Sequence, residues 1–433
     1  MPFSGFSLKH IMNQNQELLQ AALKGDRKLV EEFLTQTTCS QQDRNKALIY
    51  ASQVGNLEIV QLLIEYQAEI DYQLQPHRIS PLMAAAAKNR EQVLEFLIRQ
   101  GAQINLTNDD GSPALAIAAY QGHLAAVKLL VAAGAKINLQ DRDSDTPLKL
   151  AIRNNQLVIV DYLLAQGALV NSQQSVTETP LTLATDLGHF AIVQTLITVG
   201  ANPNGLTDCQ ESPLAIAAAN GYRDIANYLL NNGAKVNLAD ASGDTPLHLA
   251  TVENYQEIVR DLLQNGADPN AKNMLGDTPL MIAALQDYSE IAEILFAHDA
   301  DPNLTNNQET ALTLAISSNN LNMVRTLLSL GADPNTRIDG GRTILMAACD
   351  QGNTELIKIL LEASADLNLQ DNADATALMW ASHRGHLHAV QLLLQQDNID
   401  TQLRNHNGYS AADLAEFNRY EAVEKLLVGY KPR

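Results

Sequence analysis

A Ser/Thr-Pro-Leu tripeptide returns along this chain every 33 residues, and that period constrains the fold more than any other feature. It stands intact at Ser80, Thr146, Thr179, Ser212, Thr245 and Thr278, and in altered form at Pro113, Thr310, Thr343, Thr376 and Ser410. The same frame runs upstream to Lys46 and Gln16, with steps of 30, 34, six of 33, then 32, 33, 33 and 34 residues. With each of these residues as position 0, the chain divides into thirteen units. Every unit has alanine at +5, from Ala21 to Ala415, and twelve have leucine at +2, Ala412 being the exception. At +17, twelve have leucine and the first has Phe33. Apolar residues tied to so short a period over 433 residues cannot gather round one core; each unit must pack on its neighbours.

Each column has a physical task. The Ser/Thr is placed to cap a helix, and the proline after it suits the first helical turn. Leu at +2 and Ala at +5 share one side of that helix, and the small alanine lets helices approach closely. A second helix follows, apolar at +13, +14 and +17 as in Ile258, Val259 and Leu262, a helical rather than a strand period. Between the helices, +9 is Gly in seven units and Asn89, Asn155, Asn254, Asn319 or Asp287 in five; only Arg419 departs. These residues tolerate positive φ, so the turn is predicted to be left-handed there. A Gly-Ala pair closes the second helix, as at Gly134-Ala135, and Asn follows at +25, from Asn105 to Asn368. Aromatics make up only 5% of the residues, which fits thin layers of small helices.

The pattern resembles the ankyrin repeat. Thr245-Pro246-Leu247-His248 matches that family's hallmark tetrapeptide, Gly122-His123 and Gly188-His189 its inter-helix turn, and Gly266-Ala267-Asp268-Pro269-Asn270 its exit. The resemblance implies an all-α ankyrin-repeat solenoid of about thirteen helix-turn-helix repeats with projecting hairpin loops. On this reading residues 1–14 form an N-terminal extension and 15–433 the repeat array. The first repeat (about 15–44) and the last (about 409–433) are more polar and are expected to act as caps. Asp299, Ser364 and Asp397 replace the exit glycine, so those loops are expected to differ locally.

The net charge of −20 disfavours nucleic acid and anionic membrane surfaces, both of which are met first by cations. Three scattered cysteines offer no disulfide framework, and neither a signal peptide nor a long apolar run is visible, so a soluble cytoplasmic monomer is expected. No nucleotide, nucleophile-elbow or metal-ligand motif is present, and His383, His386 and His388 lack ligand spacing. The reading is therefore no catalytic residue, no cofactor and no metal. The expected function is a non-catalytic scaffold or adaptor for a protein partner. The alternatives are a stoichiometric inhibitor of one enzyme and, further off, an enzyme with an unrecognised site.

Residues the repeat does not require mark candidate contacts. Position −1 is acidic in six consecutive repeats: Asp145, Glu178, Glu211, Asp244, Asp277 and Glu309. By the resemblance this position faces the concave surface, where a row of carboxylates would attract a basic segment of the partner. A carboxylate near a helix N-terminus is also favoured by the dipole alone, by about 0.3–1 kcal/mol. The variable end of the first helix adds Tyr120 and Arg153, and Trp380, the single tryptophan, is a candidate anchor.

Overall fold

The computed structural model describes residues 16–35, 39–171, 178–307 and 309–430. The extension expected over residues 1–14 lies outside the described residues. Among these, twenty-six α-helices alternate with loops, two helices to each of the thirteen repeats. The chain divides into two compact units, Met1–Asp208 with repeats 1 to 6 and Cys209–Arg433 with repeats 7 to 13. Within each unit the first helix of a repeat packs on the first helix of the next, and second helices pack on second helices.

The sequence columns are the core of both stacks. All thirteen +5 alanines are no more than 1% exposed, and the twelve +2 leucines no more than 5%. The twelve +17 leucines are buried as well, while Phe33 is half-buried and its neighbour Leu34 points inward instead. Ala412, in the last repeat, is half-buried.

Helix starts follow the capping chemistry. The hydroxyls of Ser80, Thr146, Ser212 and Thr278 accept from the backbone N–H three residues on, at 3.1–3.3 Å. Pro113 has no such group and its helix starts uncapped by a side chain. The second repeat departs from the frame: its first helix, Gln41–Val54, begins ahead of Lys46 and is capped by Ser40.

The +9 residue has positive φ in all thirteen repeats, Arg419 included at 63°. At Gly385 a side chain would also strike the Tyr420 ring 2.5 Å away, so two constraints select glycine there. Two of the three altered exits keep the usual geometry, since Asp299 and Ser364 take the left-handed conformation at φ 67° and 62°. The third differs: the helix Leu387–Leu394 is followed by Gln395 in right-handed conformation, and Asp397 is not left-handed.

The polar loops are held by asparagine. The +25 side chain of one repeat accepts an N–H and donates to a carbonyl at the exit of the next. Asn138 binds the Leu169 N–H at 2.9 Å and the Gly167 carbonyl at 3.2 Å, and Asn270 does the same with Asp301 and Asp299. The hairpins close through isolated antiparallel bridges such as Thr107 with Pro113 and Arg337 with Thr343.

Candidate functional site

Position −1 lies where the hairpin enters the first helix, and +7 lies two turns further along it. Among the described residues the two side chains meet in repeats 5, 11 and 13. Asp145 accepts from the Arg153 guanidinium at 2.8 and 3.3 Å. Arg342 lies 3.7 Å from the Asp350 carboxylate, and the rings of Tyr409 and Phe417 have centroids 6.4 Å apart. Where they meet, the −1/+7 pair is ionic in repeats 5 and 11 and aromatic in repeat 13.

In the first unit the acids are drawn into the fold. Asp145 is 5% exposed, and Arg153 bridges it to Glu178 of the next repeat. Burial works against the Arg153 charge, yet the hydrogen bond and field of Asp145 hold its pKa above the ordinary value. Lys149 is buried beside the same carboxylate, 3.9 Å away, and burial pulls its pKa down against the opposing fields of Glu178 and Asp145. Asp145, Glu178 and Arg153 thus form one ion network with Lys149. Tyr120 is half-buried, and its carbonyl accepts from the Asn154 side chain at 2.6 Å.

In the second unit the same column is arranged differently. Asp244 accepts from the Asn273 amide at 2.9 Å, and Asp277 from the Asn306 amide at 2.6 Å. An amide donor leaves the carboxylate charge intact. Glu211 is half-buried and Glu309 is exposed. The +7 partners of Asp244 and Asp277 are Val252 and Leu285, 43% and 48% exposed. Acid and apolar side chains therefore alternate across repeats 8 and 9.

Sequence reasoning missed the residue that holds Asp244. Asn273 sits in the hairpin, and its Oδ1 accepts from the N–H groups of Leu275 and Asp277, both at 3.0 Å, which closes its own loop. Its Nδ2 reaches back to Asp244 of the preceding repeat. Asp141 closes its loop in the same way and accepts from the hydroxyl of Ser112 at 3.4 Å. The signal was a pairing seen in two repeats, where the −1 aspartates Asp244 and Asp277 meet Asn273 and Asn306 of the next hairpin, while the −1 hydroxyl of Ser112 meets the Asp141 carboxylate.

Repeats 11 to 13 carry a third arrangement. Trp380 is half-buried and donates its indole N–H to Asp371 at 3.0 Å. It lines an open cavity of about 300 Å³ with Met379, Tyr409, Leu414 and Phe417. The neighbouring histidines bind the fold: His386 Nε2 lies 3.1 Å from the Asp350 carbonyl and His383 Nδ1 3.0 Å from the Asn418 amide. Among the described residues no group of three or more His, Cys, Asp or Glu could hold a metal ion, and no helix is long and apolar enough to cross a membrane. Burial pushes the Cys349 thiol well above its ordinary pKa, far from a reactive thiolate.

A stack of two-helix repeats with capped first helices and left-handed inter-helix turns defines a class, the helical repeat-array proteins. Within it, this chain belongs to the ankyrin repeat family. The family model "Ankyrin repeats (3 copies)" matches residues 18–108, 82–174, 115–207, 181–273, 272–338 and 344–433. Two Caenorhabditis elegans proteins are similar in part. Ankyrin repeat and KH domain-containing protein mask-1 is 33% identical over 112 residues, 25% of this chain and 4% of that protein. Dauer abnormal formation protein 25 is 30% identical over 109 residues, 24% of this chain and 28% of that protein. The chain thus matches only a minor share of either relative's length. The crystal structure of the human ASB11 ankyrin repeat domain is similar with a TM-score of 0.47 and 30% identity, covering 52% of this chain and all of that one. Ankyrin repeats are generally protein–protein interaction modules and typically non-catalytic.

Proposed function

We propose that this protein is a non-catalytic scaffold or adaptor that binds a basic segment of a partner protein along repeats 7 to 10. The observation that carries the reading is the alternation in the second unit. Asp244 and Asp277 accept from asparagine amides, Glu309 is exposed, and Val252 and Leu285 stand exposed in register with the two aspartates. Such a surface suits an extended or helical segment with cations at regular spacing and apolar side chains between them. Opposite charge speeds encounter and sets register, while burial of the apolar side chains slows release. Asp145 and Glu178 contribute less, because Arg153 already neutralises them.

The test is affinity capture from native cells with mass spectrometry, using the wild type and a Glu211→Lys, Asp277→Lys, Glu309→Lys variant. Capture of a partner whose affinity falls steeply with salt, and at least tenfold on charge reversal, supports the reading. A partner held equally well by the variant overturns the acidic column as a binding surface.

A further inference from the structure

Among the described residues, six hairpins close in the same way. An Asn or Asp side chain accepts the N–H groups two and four residues on, and its own carbonyl accepts the N–H between them. That closure uses only the backbone of the two residues at the tip, so the turn leaves their side chains free to vary. In five of the six the tip is polar, charged or alanine, as at Arg142-Asp143, Ala241-Ser242 and His406-Asn407. In the hairpin that enters repeat 9 it is Met274-Leu275, 78% and 67% exposed. Folding does not ask for these two side chains, and water disfavours them.

The tip is held still. Met274 donates its N–H to the Ser242 carbonyl of the preceding hairpin at 3.0 Å, and Asn273 takes the N–H groups of Leu275, Gly276 and Asp277. Gly276 is left-handed at φ 83°, and a side chain at Gly243 would stand 2.9 Å from the Met274 nitrogen. A fixed tip has little backbone entropy left to lose on binding. The tips on either side, Ala241-Ser242 and Asn306-Asn307, carry no large apolar side chain. A flat surface laid across the three tips would therefore leave Met274 and Leu275 largely in water; only a concave one encloses them. The charge around the tip is negative. Over residues 237–245, 270–278 and 303–310, Asp240, Asp244, Asp277 and Glu309 outnumber the single cation, Lys272, whose Nζ donates to the Thr305 carbonyl at 2.7 Å.

We propose that Met274 and Leu275 insert as one knob into an apolar pocket of a folded partner protein, with lysine or arginine on the pocket rim to meet Asp244 and Asp277. The inference rests on the reading that repeats 7 to 10 bind a protein, and adds the shape of that protein beside its basic segment. A lipid bilayer also accepts apolar tips, but the carboxylates on both sides oppose an anionic surface and gain nothing from a zwitterionic one.

The test is photocrosslinking of the full-length protein in native cell extract. The photoreactive residue p-benzoylphenylalanine replaces Leu275 in one sample and Asp143, at the equivalent place on a polar tip, in the other. The expected result is a protein adduct from position 275 that position 143 does not form, mapped to apolar residues of the partner flanked by Lys or Arg. Excess wild-type protein should suppress that adduct, and a Met274→Ser, Leu275→Ser competitor should need about tenfold or more higher concentration to do so. Both side chains are exposed, so the urea midpoint of the double-serine variant should match the wild type. The proposal is overturned by no adduct above the position 143 control, or by equal competition from the double-serine variant. It is also overturned by an adduct only with lipid or a second copy of this chain, or by a partner site rimmed with acids. A Glu211→Lys, Glu309→Lys competitor leaves the Met274-Leu275 hairpin intact and separates the two readings. If it competes like the wild type while the double-serine variant does not, the acidic column fails and the knob stands; the converse refutes the knob and leaves the column.

Discussion

In the second unit one position of the repeat carries two opposite chemistries. In repeats 8 and 9 position −1 is an aspartate held by the asparagine of the next hairpin, with an exposed aliphatic residue at +7. In repeat 11 it is Arg342, stacked over Trp380 of the next repeat and facing Asp350 at +7. The backbone is alike in both places: the same threonine cap, the same left-handed turn, the same buried alanine. The scaffold therefore fixes where the −1 side chain stands and leaves its charge to be settled by two neighbours, the +7 residue and the next repeat.

The comparison can be broken by melting one region without the other. Leu378 is 1% exposed in repeat 12, and Leu378→Ala is expected to cost about 2–5 kcal/mol. Because repeats support only their neighbours, the loss should fall on the C-terminal repeats. Trp380 emission should then change at lower urea than the bulk of the helical signal. A single coincident transition would show that the two regions unfold as one.

A smaller effect tests whether the acidic column is one thing or several. Asp277→Ala leaves the Asn306 amide without its acceptor and is expected to cost about 1–3 kcal/mol, as for hydrogen bonds to charged groups. Glu309→Ala, at an exposed position, is expected to stay within about 0.5 kcal/mol. Equal shifts in the urea midpoint would contradict the distinction.

The smallest effect is a pH dependence centred on His248 in repeat 8. The Thr245 N–H lies 3.2 Å from His248 Nδ1, which must therefore accept, so Nε2 carries the proton and donates to the Asp277 carbonyl at 3.1 Å. A second proton on the ring would face a donor. Burial holds the His248 pKa below its ordinary value. The unfolded chain then binds more protons than the folded one below about pH 6.5, so stability is full above that pH and falls as pH drops. Amide exchange in Pro246–Val252 is expected to quicken from pH 7 to pH 5, after correction for intrinsic rates, by up to about 1.4 kcal/mol per pH unit. His248→Gln should flatten that slope.

Most of the fold was legible because packing repeats and sequence repeats share one period. Ala at +5, Leu at +2 and the left-handed +9 residue each answer to a constraint that returns in every unit. The binding face was legible only in part. Asp145 and Asp277 look alike in sequence, yet one is neutralised by Arg153 and the other held by an amide. That difference lies in residues eight positions on, or in the next repeat, outside the column being read. The aromatic pocket was harder still. Trp380, Tyr409 and Phe417 come from different positions of two repeats, and only the stacking of one repeat on the next brings them to one cavity.

The asparagine stitches carry a consequence for how such a chain changes over generations. Those of Asn138, Asn171, Asn237, Asn270, Asn303 and Asn368 each reach an acceptor and a donor between 28 and 32 residues ahead. Duplicating or deleting one whole unit therefore leaves every stitch opposite a partner of the same kind. Length becomes a freely inherited variable, and a copied repeat would extend the acidic face by one step without a new solution to the core.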